Sequence, residues 1–110
     1  MMTNRKVYMI ALILALSGCA AVEIGRDFNN QKFVASVQRG VTTQSEIHQW
    51  LGEPASIGVH VETTGKQYTR WVYYFGTGKP PRFEDVHFKN LEILFDDAKL
   101  VQGYQWSGGN

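Results

Sequence analysis

Hydrophobic residues follow three successive patterns along the chain. Residues 7–16 form one apolar run. Phe33, Val34 and Val37 then recur at helical spacing, and from residue 57 onward apolar residues tend to alternate with polar ones. Because a period of 3.6 residues is typical of helices and a period of two is typical of strands, the chain divides into a leader, a helical part and a strand-rich part.

The helical part predicts two short helices. The first spans about residues 30–39 and ends at Gly40, which can adopt the left-handed conformation common at helix C-termini. The second begins at Gln44, since Thr43 and Glu46 have the spacing of a capping box, in which each side chain bonds the other residue's backbone amide. The two helices are therefore joined by a connection of only a few residues.

The strand-rich part predicts three or four antiparallel strands. Alternation over residues 57–61 predicts the first, and residues 67–75 predict a second that carries aromatic side chains on both faces. Residues 76–81 contain glycines and two prolines, which predict a mobile loop. Residues 88–95 and 100–106 predict a final hairpin around an Asp-rich turn.

This order of elements predicts an α+β fold in two layers, ααβββ(β). Two N-terminal helices pack on one face of a three- to four-stranded antiparallel sheet. We expect residues 1–18 to be a removed signal peptide, 19–30 a lipidated cysteine with a flexible tether, 31–106 the folded domain, and 107–110 a flexible C-terminus.

The leader contains the only cysteine of the chain. Arg5 and Lys6 precede the apolar run, and the sequence Leu-Ser-Gly-Cys ends at Cys19. This segment resembles the lipobox of bacterial lipoproteins. The resemblance implies that Cys19 receives a diacylglycerol and, after cleavage, an N-acyl chain. Because Ala20 is not Asp, it also implies an anchor on the periplasmic face of the outer membrane.

Two other interpretations of the leader remain open. A retained transmembrane helix needs about twenty apolar residues, and this run is roughly half that length. Cleavage elsewhere would leave Cys19 as a lone free thiol in an oxidising compartment, which is an unusual arrangement.

Charge and composition exclude one class of partner. The chain has 11 basic and 10 acidic residues, a net charge of +1, and no basic cluster that would bind phosphates. We therefore expect no nucleic-acid partner. Short chains bury a smaller share of their unfolded surface than long chains do, so the six Phe, five Tyr and three Trp are expected to fill the core.

The folded part resembles the SmpA/OmlA lipoprotein domain, the family that includes the BamE outer-membrane assembly factor. The resemblance covers about residues 32–104, and the matching positions are 33–34, 37, 40–43, 46–47, 51–54, 71–74 and 91–96. The resemblance implies two helices on a small antiparallel sheet and envelope proteins as partners, including the outer-membrane assembly machinery. Residues 76–85 are longer and richer in Pro and Gly than the family pattern, so no partner-contacting residue carries over.

No motif of catalysis is present. His48, His60 and His87 lack the short spacing of a metal site, and the adjacent Asp96 and Asp97 are typical of a turn. We therefore expect no enzyme activity, no metal and no cofactor other than the lipid on Cys19.

The aromatic residues are the best functional candidates. Tyr, Trp and Arg are enriched where protein interfaces concentrate their binding energy. Those on one face of the second and last strands could bind a partner, although they could equally build the core. The candidate partner-binding residues are Tyr68, Arg70, Trp71, Tyr73, Tyr74, Tyr104 and Trp106.

The sequence thus favours a non-catalytic, lipid-anchored periplasmic binding module that supports outer-membrane protein assembly or envelope integrity through protein contacts. The alternatives are a stress-related envelope lipoprotein and an inhibitor or ligand-binding module that uses the sheet face.

Overall fold

The computed structural model describes residues 21–108. The predicted signal peptide, Cys19 and residues 109–110 lie outside this range. Ser107, predicted to begin a flexible C-terminus, is instead the last residue of a strand. The elements are β1 (Val22–Gly25), α1 (Asn30–Ser36), α2 (Gln44–Leu51), β2 (Ser56–Val61), β3 (Gln67–Lys79), β4 (Glu84–Phe95) and β5 (Val101–Ser107).

The predicted two-layer ααβββ(β) fold is wrong. The described part of the chain is mostly sheet, with two helices of 7 and 8 residues and one five-stranded antiparallel sheet. A strand precedes the helices, and β1 and β2 pair in succession along the same edge of β3. The helices are too short to cover so wide a sheet, so they do not form a complete second layer.

The segment predicted as a tether contains β1. Val22 pairs with Gly78, and Gly25 pairs with Phe75. Four residues of alternating pattern are too few to distinguish a strand from an extended linker, which is why the prediction failed. Gly25 adopts φ +82°, and a Cβ there would overlap the Tyr74 carbonyl oxygen. Only glycine therefore allows β1 to lie this close to β3.

The β3–β4 hairpin extends through the region predicted as a mobile loop. β3 continues to Lys79 and β4 begins at Glu84. Gly76 and Gly78, which suggested a loop, are buried within the strand. The ring of Phe88 covers Gly76, so the space that a side chain would occupy is filled from the neighbouring strand.

The predicted start of the second helix is confirmed. The Glu46 amide donates to Thr43 Oγ1 at 3.1 Å, and the Thr43 amide donates to Glu46 Oε1 at 3.2 Å. The first helix is shorter than predicted because Val37 is extended, with φ −71° and ψ 139°. α1 therefore ends at Ser36 instead of Arg39.

The core lies between the helices and the face of the sheet formed by β3, β4 and β5. Each helix contributes one buried apolar side chain, Phe33 from α1 and Ile47 from α2. The Trp71 and Phe95 rings meet edge to face with centroids 5.0 Å apart. The buried apolar residues are Phe28, Phe33, Ile47, Trp71, Tyr73, Leu91, Ile93, Phe95 and Val101.

A buried lysine joins the β1–α1 connection to this core. Lys89 is 6% exposed, and its ammonium donates to the Phe28 carbonyl oxygen and forms an ion pair with Asp27 at 2.6 Å. It also lies over the Phe28 and Phe75 rings, 5.1 and 5.6 Å from their centroids. The carboxylate of Asp27, the carbonyl oxygen of Phe28 and the two aromatic rings therefore compensate the buried charge of the Lys89 ammonium.

Candidate docking surfaces

Two of the predicted binding residues belong to the core. Trp71 and Tyr73 face the helices and are 8% and 4% exposed. The Tyr73 hydroxyl donates to the Gly52 carbonyl oxygen at 2.8 Å, which ties the end of α2 to the sheet. Burial, with a smaller contribution from the Glu53 carboxylate, raises the pKa of the Tyr73 phenol well above its usual value. Both side chains are buried away from any partner.

Three predicted residues lie on the opposite face of the sheet. Tyr68 and Arg70 are half-buried, and Tyr74 is exposed. The Lys66 ammonium lies 5.2 Å from the centre of the Tyr68 ring. Arg70 Nε is buried and has no hydrogen-bond partner among the described residues. These residues are available on this face, although at different positions along β3.

The last two predicted residues lie on β5 and face the helix-covered side of the sheet. Tyr104 pairs with Ile93 and Trp106 pairs with Leu91, so both point toward that layer. Tyr104 packs edge-on against Phe33 with ring centroids 5.3 Å apart. The seven predicted residues therefore occupy two faces and do not form one surface.

The structure shows a different apolar surface on β2, which we call the docking strand (Ser56–Val61). Ile57, Val59 and Val61 are 63%, 59% and 56% exposed. Within residues 21–108, β2 pairs only with β3, so its other edge is open. The alternation of these residues predicted a buried face, but periodicity does not show whether anything covers that face.

The edge position of the docking strand is unusual for its composition. Exposed edge strands normally carry charges, prolines or bulges that prevent pairing with other chains. The docking strand has none of these, since its sequence is Ser-Ile-Gly-Val-His-Val. It combines open backbone hydrogen-bonding groups with a row of β-branched side chains.

An open cleft of about 600 Å³ lies between the helices. The Phe28 and Phe33 side chains line it together with Trp50, and Arg26 and Lys32 place positive charge at its wall. Trp50 is 42% exposed. The cleft separates α1 from the end of α2.

The titratable groups are dispersed. His48 Nε2 lies 2.7 Å from Glu53 Oε1 at the exposed end of α2. His60 lies on β2 and His87 on β4. Across residues 21–108, no three His, Cys, Asp or Glu side chains are grouped closely enough to hold a metal ion.

Comparisons with known proteins do not identify a relative. No protein-family model, curated protein or solved structure matches the chain. The resemblance to the SmpA/OmlA domain therefore stays a prediction. Among the helices of the described residues, none has the length and hydrophobicity needed to cross a bilayer.

Proposed function

We propose that this chain is a non-catalytic, lipid-anchored envelope protein that binds an extended segment of another envelope protein along the docking strand. The observation that carries this proposal is the open edge of β2 with three exposed β-branched side chains. A partner strand can pair with such an edge through backbone hydrogen bonds.

The chemistry of the docking strand defines the kind of segment it accepts. Backbone pairing provides affinity without sequence preference, and alternate side chains provide specificity. Ile57, Val59 and Val61 project from one face, so the partner segment should carry apolar residues at every second position. Removing these side chains from water stabilises the complex in proportion to the apolar area buried.

The lipid on Cys19 would place this strand near its partners. An anchor confines the domain to one membrane surface and raises its effective concentration there, so a weak interface suffices. A protein carrying three acyl chains is held far more firmly than one carrying a single chain. The lipobox resemblance favours the periplasmic face of the outer membrane, where assembly or maintenance of that membrane is the function we propose.

In-cell photo-crosslinking tests the docking strand. A photoreactive amino acid at Val59 should form a discrete crosslinked product with an envelope protein, and Val61→Lys should reduce its yield several-fold. Val41 is a matched control, since it is 62% exposed but lies in the connection between the helices. Equal yields of the crosslinked product from positions 41 and 59 would contradict docking at β2.

Complementation tests the anchor. Cys19→Ala should fail to restore the envelope permeability barrier in a strain lacking the protein, even when the variant is exported and folded. Full restoration of the permeability barrier by a soluble, exported form would contradict the role of the anchor. It would not contradict partner binding by the docking strand.

A further inference from the structure

A second apolar surface lies on the face of the sheet that the helices do not cover, at the closed end of the β3–β4 hairpin. Its side chains come from β1, β3, β4 and the hairpin turn, and each is 37–59% exposed. We call it the hairpin patch, and its residues are Val22, Ile24, Tyr74, Phe83, Val86 and Phe88.

The register of the sheet places these side chains together. Ile24 and Phe88 both pair with Gly76, one from each side of β3. The Tyr74 and Phe88 rings are stacked, with centroids 6.5 Å apart and planes 17° from parallel. Because Gly76 carries no side chain, the flanking residues form one continuous apolar surface over the buried strand.

The hairpin turn adds an aromatic ring to this surface at a conformational cost. Phe83 has φ +51°, a conformation that bulky residues rarely adopt. Its ring lies against Gly78, where a Cβ would meet Phe83 Cδ1 at 3.1 Å. The turn therefore holds Phe83, which remains 53% exposed, on the same face as the other patch residues.

The other face of this hairpin end is polar. Glu23, Thr77 and His87 share a face through the pairings of β1 and β4 with β3. The hairpin end is thus amphipathic, with one apolar and one polar side. Residues 79–85 contain two basic and two acidic residues, so the turn has no net charge that would select anionic lipids.

The chain N-terminus brings the lipid attachment site to this patch. Val22 is a patch residue held to Gly78 by strand pairing, and Cys19 is only three residues before it. An extended chain spans at most about 3.6 Å per residue, so Cys19 lies within roughly 11 Å of Val22. A lipid on Cys19 must therefore enter the bilayer beside the patch.

We infer that the hairpin patch inserts into the surface of the membrane that holds the lipid anchor. This inference rests on the lipid anchor of the proposed function. Apolar and aromatic side chains of an amphipathic element bury at the boundary between headgroups and acyl chains. The bilayer is the occupant that the covalent attachment brings to this surface, and the neutral turn makes the contact hydrophobic.

Nitroxide labels on the lipidated mature protein, reconstituted in phosphatidylcholine vesicles, test this inference. Cysteines are introduced at Val86 and Ile24 in the patch and at Val59 on the docking strand. Val59 and Val86 are both 59% exposed, so they form a matched pair. The patch labels should show several-fold lower access to a water-soluble nickel reagent and higher access to oxygen than the Val59 label.

Each other result has a distinct meaning. Equal water access at all three positions in a lipidated protein would overturn membrane insertion but not the anchor. Protection accompanied by spin–spin broadening that disappears on dilution with unlabelled protein would identify a second copy as the occupant. Protection only with added anionic lipid would replace insertion with headgroup binding. A Cys19 thiol that reacts with the nitroxide is unlipidated, and the lipid anchor of the proposed function would then fail together with membrane insertion.

A substitution provides an independent check. Phe88→Ser should return the Val86 label to water, while Ile57→Ser, at a similarly exposed position on β2, should leave it protected. Circular dichroism shows whether both variants remain folded. Continued protection in folded Phe88→Ser would contradict insertion of the patch.

Discussion

At the scale of single residues, Gly25 determines whether β1 can pair with β3. We predict that Gly25→Ala is more destabilising than Gly40→Ala, although both glycines have positive φ. Alanine in that conformation costs about 1–2 kcal/mol at either site. At Gly25 the added Cβ also meets the Tyr74 carbonyl oxygen, which adds about 1–3 kcal/mol, whereas nothing lies within 4 Å at Gly40.

Urea denaturation and hydrogen exchange check this comparison. The free energy of unfolding should fall further for Gly25→Ala, and the β1 amides should lose protection in that variant alone. Equal losses of stability in the two variants would show that β1 does not depend on the close approach at Gly25.

Asp27 links the buried Lys89 to the pH dependence of stability. The hydrogen bond from the Lys89 ammonium holds the pKa of the Asp27 carboxyl below its usual value. A lowered pKa in the folded state stabilises the protein above the ordinary aspartate pKa of 3.8, and this stabilisation is lost as the pH falls through the lower folded value.

We therefore predict that Asp27→Asn makes the free energy of unfolding less dependent on pH below about 4. Asp96, whose pKa is also lowered, chiefly by the hydrogen bond from the Leu100 amide, should account for part of the remaining slope. Chemical denaturation at a series of acid pH values measures the slope of the unfolding free energy against pH. An unchanged slope in Asp27→Asn would contradict the coupling to Lys89.

At the scale of elements, local sequence signals predicted helix starts better than strand extents. The α2 capping box needs only Thr43 and Glu46 at fixed spacing, so it was recognisable. The predicted loop at 76–81 failed because Gly78 is packed by Phe83 and Val86, which come from the turn and the next strand. Which neighbouring side chain occupies the space beside a glycine depends on the register of the sheet, and the periodicity of a single strand does not show that register.

The candidate site was only partly predictable for the same reason. The sequence identified the aromatic residues of β3, but which of them faces the helices depends on the packing of α1 and α2. Trp71 and Tyr73 consequently belong to the core. The alternation of Ile57 and Val59 was visible, but the sequence did not show that these side chains stay exposed, with no helix of residues 21–108 covering them.

The capping box of α2 provides an element-scale prediction. The Thr43 side chain accepts a hydrogen bond from the Glu46 amide. Its backbone also forms an isolated β-bridge with Leu100, near the start of β5. Thr43→Ala should lower the free energy of unfolding by about 1 kcal/mol. Ser45→Ala, at an exposed position within the same helix turn, should change it by less than about 0.5 kcal/mol. Thermal and urea unfolding compare the two, and similar effects would contradict the role of the cap.

At the scale of the whole molecule, the sheet separates two surfaces along β3. The hairpin patch lies at the Gly78 end, and the docking strand pairs with the other end, with Val59 opposite Thr69. Strands rise about 3.3 Å per residue, so the two pairings are roughly 30 Å apart. A domain tied to the membrane through β1 therefore presents the docking strand at a fixed distance from the bilayer surface.

This arrangement predicts the effect of a longer tether. A ten-residue Gly/Ser insertion after Ala21 has an end-to-end distance of about 17 Å, so it keeps the anchor but frees the orientation of the domain. The effective concentration at a membrane-bound partner then falls, and crosslinking from Val59 should decrease several-fold without disappearing. The same insertion after Gly108 is the control, since it leaves the distance between Cys19 and β1 unchanged. An undiminished crosslink with the longer tether would show that partner binding needs only confinement to the membrane and no fixed orientation of the sheet.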